Sequence, residues 1–267
     1  MDKKIVELVQ QIRSASPLIH NITNFVVMNS SANILLALGA SPVMAHSPDE
    51  VEEMAAMAGA LVINIGTLEK DWIGAMIRAG RAANAAGAPV VLDPVGAGAT
   101  AFRNHAVERI MGGCDVSVVR GNVSEIMSLA SPDVKTRGVE SALDLSEDAV
   151  SVFRDLAAAH QCIIAVSGKK DCITDGIRAF LVENGHPVMA RVTGIGCGLS
   201  AVTGAFCAMA GKNLVEAVAA AFSFYGRCGE LAGAVSDKPG TFYPAFLDCL
   251  YCADAAEISP GVRIREK

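Results

Sequence analysis

The 267-residue chain carries a net charge of −6 at pH 7, with 52% hydrophobic and 19% charged residues. A pI near 5.4 leaves no electrostatic footprint for nucleic acid or an anionic membrane, so any phosphate the chain binds must be held by local geometry. The mean hydropathy of +0.39 suits a parallel sheet covered on both faces, with some excess for a subunit interface.

Along the chain, the opening Met1 to Leu8 has charges on both sides of its apolar residues and no signal-peptide core, which predicts the first helix of a cytoplasmic protein. The first two thirds then repeat a short β-rich run ending in Gly, Pro or Asn, followed by an amphipathic helix. That rhythm predicts an α/β fold with a mainly parallel central sheet flanked by helices, as a single domain over 1–267. Strands are predicted at 18–22, 42–44, 60–65, 89–92, 116–119 and 162–166. Ser47-Pro48-Asp49-Glu50 predicts a capping box that starts a helix reaching Ala58. Asp175-Gly176 between two β-prone runs predicts an antiparallel hairpin at one edge. From Ile195 to about Asp254 the pattern is helical, with breaks at Gly211 and at Asp237-Lys238-Pro239-Gly240. Lys212 and Glu216 interrupt the most apolar stretch, so no run of the ~20 residues needed to span a bilayer is present.

Cys162, Cys207 and Cys228 lie inside periodic or strand-like runs and read as buried free thiols. Cys249 and Cys252 form a lone Cys-x-x-Cys with no second pair or ligand-spaced His, which argues against zinc. Trp72 sits on a predicted helix and reads as packed. His20 and His46 adjoin strand ends, where a hydrogen-bonded His is the commoner outcome, and neither is assigned a role.

In open parallel sheets, ligands sit outside the carboxyl ends of the strands. The residues there are Asn21-Ile22-Thr23-Asn24, Met44, Asn64-Ile65-Gly66-Thr67, Asp93-Pro94-Val95-Gly96, Arg120-Gly121-Asn122 and Ser167-Gly168. The most informative segment is Val192-Thr193-Gly194-Ile195-Gly196-Cys197-Gly198-Leu199-Ser200, a glycine-rich turn opening a long apolar helix. Such a turn aims free N–H groups and the positive helix end at an anion. A dinucleotide fingerprint should instead follow a strand, open a βαβ unit and precede an acidic residue by about 20 positions. These glycines stand late in the chain and a helical region follows, so phosphoryl transfer is favoured over a dinucleotide-binding oxidoreductase.

Asp93 and Glu125 follow strand ends and are candidates to organise Mg²⁺ directly or through water. Asp93 closes an apolar strand, where a buried carboxylate needs a partner. Glu125, three residues after Asn122, equally fits a capping box, and the two roles are compatible. Arg120 is a permanent cation where phosphate would approach, with a structural salt bridge as its rival reading. Ser167 offers a hydroxyl donor beside Gly168.

Several stretches together resemble the hydroxyethylthiazole kinases, within the ribokinase-like fold. They are Asn21-Ile22-Thr23-Asn24-Phe25-Val26, Ser41-Pro42-Val43-Met44, Asn64-Ile65-Gly66-Thr67-Leu68, Val91-Leu92-Asp93-Pro94-Val95-Gly96-Ala97-Gly98, Arg120-Gly121-Asn122-Val123-Ser124-Glu125-Ile126 and Thr193-Gly194-Ile195-Gly196-Cys197. They follow family order from residue 21 to about 200, and the helical C-terminal third also fits. One departure is Ile195, where the family more often has Thr.

The resemblance implies ATP-dependent phosphorylation of 4-methyl-5-(2-hydroxyethyl)thiazole in thiamine salvage, by a homotrimer whose active sites lie between adjacent subunits. It implies that Arg120 and Ser167 contact ATP and that Asn24, Val26, Met44, Gly66 and Gly194 contact the thiazole. Met44 has a physical rationale, since a polarizable thioether packs well against an aromatic ring, although without the resemblance it reads as core. The backbone N–H groups of Gly194, Ile195, Gly196 and Cys197 form the candidate anion hole. Cys197 is the candidate catalytic residue, standing where ribokinase-like relatives generally carry an Asp. The helix end and nearby lysines or magnesium would lower the thiol's pKa, and the phosphates of ATP would oppose that. The nearest alternative is a related kinase acting on a pyrimidine or pyridoxal alcohol.

Overall fold

The computed structural model describes residues 1–130 and 147–267. It opens with helix α1 (Asp2–Ala15) and then alternates strand and helix: β1 (Leu18–Ile22), α2 (Met28–Leu38), β2 (Ser41–Val43), α3 (Val51–Met57), β3 (Ala60–Asn64) and α4 (Lys70–Ala85). The series continues through β4 (Val90–Asp93), α5 (Ala101–Met111), β5 (Val118–Asn122), α6 (Val123–Met127), α7 (Glu147–His160) and β6 (Ile163–Ser167). After β7 (Asp171–Thr174) and β8 (Ala179–Val182) come α8 (Ile195–Ala208), α9 (Leu214–Val235), α10 (Pro239–Cys252), α11 (Ala255–Ile258) and β9 (Ile264–Glu266).

Among the described residues these strands form one nine-stranded sheet of order β2-β1-β3-β4-β5-β6-β7-β8-β9. Neighbours from β2 through β6 pair in parallel, and β6 through β9 pair antiparallel. The parallel region follows from strands that are apolar on both faces. In β3, Ala60 and Val62 pack into one core with α1, α2, α8, α9 and α10, while Leu61 and Ile63 pack into the other with α3, α4, α5, α6 and α7. The two-residue pleat repeat sends successive side chains to opposite faces, so such a strand is stable only between two helical layers. Val62, Leu61 and Ile63, buried in this way, each contribute about 1.5–3 kcal/mol from area removed from water, and Ala60 less.

Helix α9, 22 residues long, is buried on all sides from Ala217 to Tyr225. Much of the chain's apolar excess resides there, and among the described residues no helix is long and apolar enough to cross a membrane. The predicted hairpin forms between β7 and β8, with Gly176 at φ +93° and Asp175 Oδ1 accepting from Ile177 N (2.9 Å) and Arg178 N (2.7 Å).

Several local expectations need correction. Ser47-Pro48-Asp49-Glu50 forms a turn and no capping box. Backbone bonds from Glu50 N and Val51 N reach Ser47 O, both at 3.1 Å, so α3 starts at Val51, with Ala58 outside it as its C-terminal cap. Arg120 lies inside β5 and not beyond it, because pairing with β6 continues to Asn122 opposite Ser167. Strand β9 was not anticipated: Ile264-Arg265-Glu266 carries little apolar signal, and its strand state depends on β8 offering a free edge.

Candidate active site

The carboxyl ends of β1, β3, β4, β5 and β6 and the amino end of α8 converge on one buried polar cluster. At its centre Asp93, 1% exposed, accepts on Oδ2 from Asn64 Nδ2 (2.8 Å) and from Ser200 Oγ (2.7 Å). Arg120 Nη1 stands 3.8 Å from the same oxygen. Burial pushes the Asp93 carboxyl up to about 6, against Arg120 and the two hydrogen bonds, which pull it down, while the charge of Glu125 adds to the rise. Arg120 is itself buried. It donates from Nη1 to Gly196 O (3.0 Å) and from Nη2 to Ser167 Oγ (2.7 Å), and its Nε has no partner. One guanidinium therefore ties β5 to β6 and to the first turn of α8.

Glu125 performs two structural tasks. Its Oε2 accepts from Asn122 N (2.8 Å) while Asn122 Oδ1 accepts from Glu125 N (2.9 Å), which is the capping box of α6. Its Oε1 accepts from Gly96 N (2.9 Å) and so holds the loop after β4. The capping reading of Glu125 is realised, and a carboxylate oxygen keeps a second lone pair for another donor or a metal-bound water.

The glycine-rich turn opens α8 with Gly194 at φ +90°. A side chain there would be strained, and its Cβ would stand 2.7 Å from Ser30 Oγ. Ile195 N lies 3.5 Å from Val192 O, a long contact, and the N–H groups of Gly194, Gly196 and Cys197 meet no acceptor among the described residues. They are the unsatisfied donors that a helix start leaves for an anion. Tyr225 Oη donates to Ile195 O (2.8 Å) and pins the turn from α9.

Cys197 is half-buried, and its Sγ accepts from Asn24 Nδ2 at 3.7 Å. Burial, and then the Asp93 charge, push the thiol up to about 11, so it is neutral at pH 7. The lysines invoked to lower it are not among the groups that act on it; these are Asp93, Asn64, Arg120 and Asn24.

On the other flank, Asn24 is buried while Phe25 and Val26, 54% and 66% exposed, project outward. Met44, just past β2, is half-buried. Phe25, His46 and Trp72 form an aromatic group, with centroids 5.0 Å apart for Phe25–Trp72 and 4.7 Å for His46–Trp72. Trp72 is packed as expected. His20 Nε2 bonds Ala45 O (2.7 Å), in keeping with a structural His.

Four positions were given no role by the sequence. Asn64 and Ser200 bond Asp93. Arg103 donates to Ile65 O, Val95 O and Gly66 O, each at 2.6 Å, and so fixes the loops after β3 and β4. Asp171, 9% exposed, accepts from Gly168 N (2.9 Å) beside Ser167 and is pushed by burial up to about 7. Of these, Asn64 stood in the strand-end series and Ser200 closed the glycine-rich segment, whereas Arg103 and Asp171 carried no signal that could have singled them out. Cavities elsewhere, one between α5, Ser128 and His160 and one between α1 and Met209, lie away from this cluster.

The hydroxyethylthiazole kinase family model matches residues 9–255. The chain is 50% identical over 260 residues to a hydroxyethylthiazole kinase of Desulfotalea psychrophila, covering 97% of this chain and 94% of that protein. It is 48% identical over 267 residues to one of Desulfosudis oleivorans, covering 99% and 96%. The solved hydroxyethylthiazole kinase protein from Pyrococcus horikoshii superposes with a TM-score of 0.90 at 42% identity, over 99% of both chains. A pyridoxal kinase from Staphylococcus aureus, with a TM-score of 0.61 at 17% identity over 94% of this chain and 98% of that one, shares the ribokinase-like fold alone. With a family model spanning nearly the whole chain and relatives this close over their full length, the chain belongs to the hydroxyethylthiazole kinase family.

Proposed function

We infer that this chain transfers the γ-phosphoryl group of ATP to the primary hydroxyl of 4-methyl-5-(2-hydroxyethyl)thiazole, giving the phosphate used in thiamine salvage. The observation that carries the reading is the pairing of unsatisfied N–H groups at the start of α8 with the Arg120 guanidinium, in a chain with full-length kinase relatives. Phosphoryl transfer requires in-line positioning and neutralisation of charge more than covalent help from the protein. The N–H groups of Gly194 to Cys197 would receive the charge of the transferring phosphoryl group, and Arg120 and Ser167 would hold the nucleotide phosphates. Asn24, Val26, Met44, Gly66 and Gly194 would line the thiazole. Cys197 would sit at the substrate hydroxyl as a neutral thiol, a weak base, so a loose transition state in which the proton leaves late suits it.

Mg²⁺ fits the donor set. Asp93 Oδ1 has no hydrogen-bond donor among the described residues, whereas both Glu125 oxygens already accept backbone N–H groups. No group of three or more acidic, His or Cys side chains gathers among the described residues. So sparse a set of hard oxygens suits an ion that keeps most of its waters and is held chiefly by substrate phosphates. When bound, it would offset phosphate charge; Asp93 would anchor it, and Glu125 would act through water.

We read the chain as one domain, since a single hydrogen-bonded sheet runs through it, and as a cytoplasmic homotrimer with sites shared between subunits. The exposed Phe25 and Val26, next to buried Asn24, support that assembly as an apolar rim beside the site. The activity is tested by incubating purified protein with ATP, Mg²⁺ and a panel of heterocyclic alcohols. Thiazole phosphate is the expected product, and conversion of a pyrimidine or pyridoxal alcohol in its place overturns the assignment.

A further inference from the structure

Asn64 ends β3, is 2% exposed, and bonds three partners on two sides of the site. Its Oδ1 accepts from Gly66 N (2.9 Å) and from Asn24 Nδ2 (2.8 Å), and its Nδ2 donates to Asp93 Oδ2 (2.8 Å). An amide can usually be turned over without visible consequence. Here it cannot. The Gly66 backbone N–H is only a donor, so it must meet the amide oxygen, and the Asp93 carboxylate is served by the nitrogen on the other side.

That orientation propagates. Because Asn64 presents oxygen to Asn24, Asn24 must answer with its own nitrogen, and the same nitrogen lies 3.7 Å from Cys197 Sγ. The sulfur is thereby made an acceptor on that side, and its own S–H is turned away from Asn24. Gly66 completes the arrangement, since a Cβ there would stand 2.6 Å from Asn24 Nδ2 and push the amide out of register. A continuous path of directed hydrogen bonds runs from the loop after β3 to the Cys197 thiol in one direction and to Asp93 in the other.

We propose that Asn64 is a positioning residue for the kinase reaction: it sets the direction of the hydrogen bonds that reach Cys197 through Asn24 and that reach Asp93 directly. It need not touch substrate. The proposal rests on the kinase reading for its rate effects only, because the state of the thiol can be read without substrate.

The test uses Asn64→Asp, which keeps the shape and replaces the donor to Asp93 by an acceptor, and the milder Asn64→Ser, which keeps one small polar group if the first variant fails to fold. Each folded variant is assayed for turnover, and Cys197 is alkylated with iodoacetamide at about pH 9, with exposed Cys252 as the internal standard in the peptide map. In Asn64→Ser the acceptor that orients the Asn24 amide is lost, and in Asn64→Asp, which still accepts from Asn24 Nδ2, the carboxylate placed beside the site disfavours the thiolate, so both should slow Cys197 alkylation relative to Cys252 by about threefold or more. Turnover should fall by about tenfold or more in Asn64→Ser and further in Asn64→Asp, with the KM for ATP changed less than about threefold. An unchanged or faster Cys197:Cys252 ratio in the folded variants overturns the proposal whatever the turnover, and so does wild-type turnover. Inactivity of the wild-type protein on hydroxyethylthiazole, with the alkylation shift present, would indict the substrate assignment and leave the positioning role standing.

Discussion

Arg120 Nη1 lies 3.8 Å from Asp93 Oδ2, and that same nitrogen donates to Gly196 O at 3.0 Å. The ion pair is buried but long, because the guanidinium is shared with the first turn of α8 and with Ser167, and the carboxylate with Asn64 and Ser200. Two buried charges tolerate such separation when other hydrogen bonds hold them, and here each has two, while Arg120 Nε and Asp93 Oδ1 stay without a partner among the described residues.

Replacing Asp93 by Asn keeps the shape and removes the charge. Turnover should fall by about 100-fold or more, and the Mg²⁺ concentration for half-maximal rate should rise. Glu125→Gln should cost less turnover, since its backbone contacts survive in part. Mg²⁺ titrations of both variants check this: an unchanged Mg²⁺ requirement in the two of them would make these carboxylates packing and capping groups.

Cys197→Ala should retain the fold and lose no more than about 100-fold in turnover, because the N–H groups of the glycine-rich turn remain and a neutral thiol is a weak base. Cys197→Asp should be tolerated and should match or exceed the wild type. With the thiol pushed up to about 11, the wild-type rate should show no inflection from Cys197 between about pH 6 and pH 9. Rate-against-pH profiles of the three proteins decide it, and two inactive variants would make the thiol an obligatory catalyst.

Asp171 is expected to weaken the fold as pH rises. Burial pushes its carboxyl up to about 7, so the native state keeps a proton that the unfolded chain, with an aspartate pKa of about 3.9, has lost. The destabilisation grows from about pH 4 to about pH 7 and then levels off. Asp171→Asn keeps an acceptor for Gly168 N and removes the titration, so the loss of stability between pH 5 and pH 8 should shrink by roughly 2–4 kcal/mol. Urea unfolding of both proteins at the two pH values measures it, and parallel curves would mean that the carboxylate is ionised in the native state.

Light scattering at micromolar concentration should give about three times the 27.6 kDa chain. Val26→Glu, which places a charge on the exposed rim next to Asn24, should lower the mass toward that of the monomer and reduce activity with it. A fully active monomer in either protein would contradict shared sites.

Much of this architecture was legible before any coordinates. Short apolar runs at 60–65 and 162–166, bounded by turn residues, read as strands covered on both faces, and the late glycine-rich turn before a long apolar helix stood out as a candidate anion-binding helix start. The family followed from stretches spread over most of the chain, which no single motif would have carried.

What tertiary structure decided were directions and partners. Local pattern gives a residue's element and its place at a strand end, but a hydrogen bond across 107 positions, as between Ser200 and Asp93, leaves no trace in either neighbourhood. The same holds for the grouping of Phe25, His46 and Trp72, and for Arg103 collecting three loop carbonyls. Whether Cys197 is ionised depends on how much water burial removes and on which charges stand near it, and those are properties of the packed site. Its residue type and its position at the helix start were written in the sequence; that it stays protonated well above pH 8 comes from the fold.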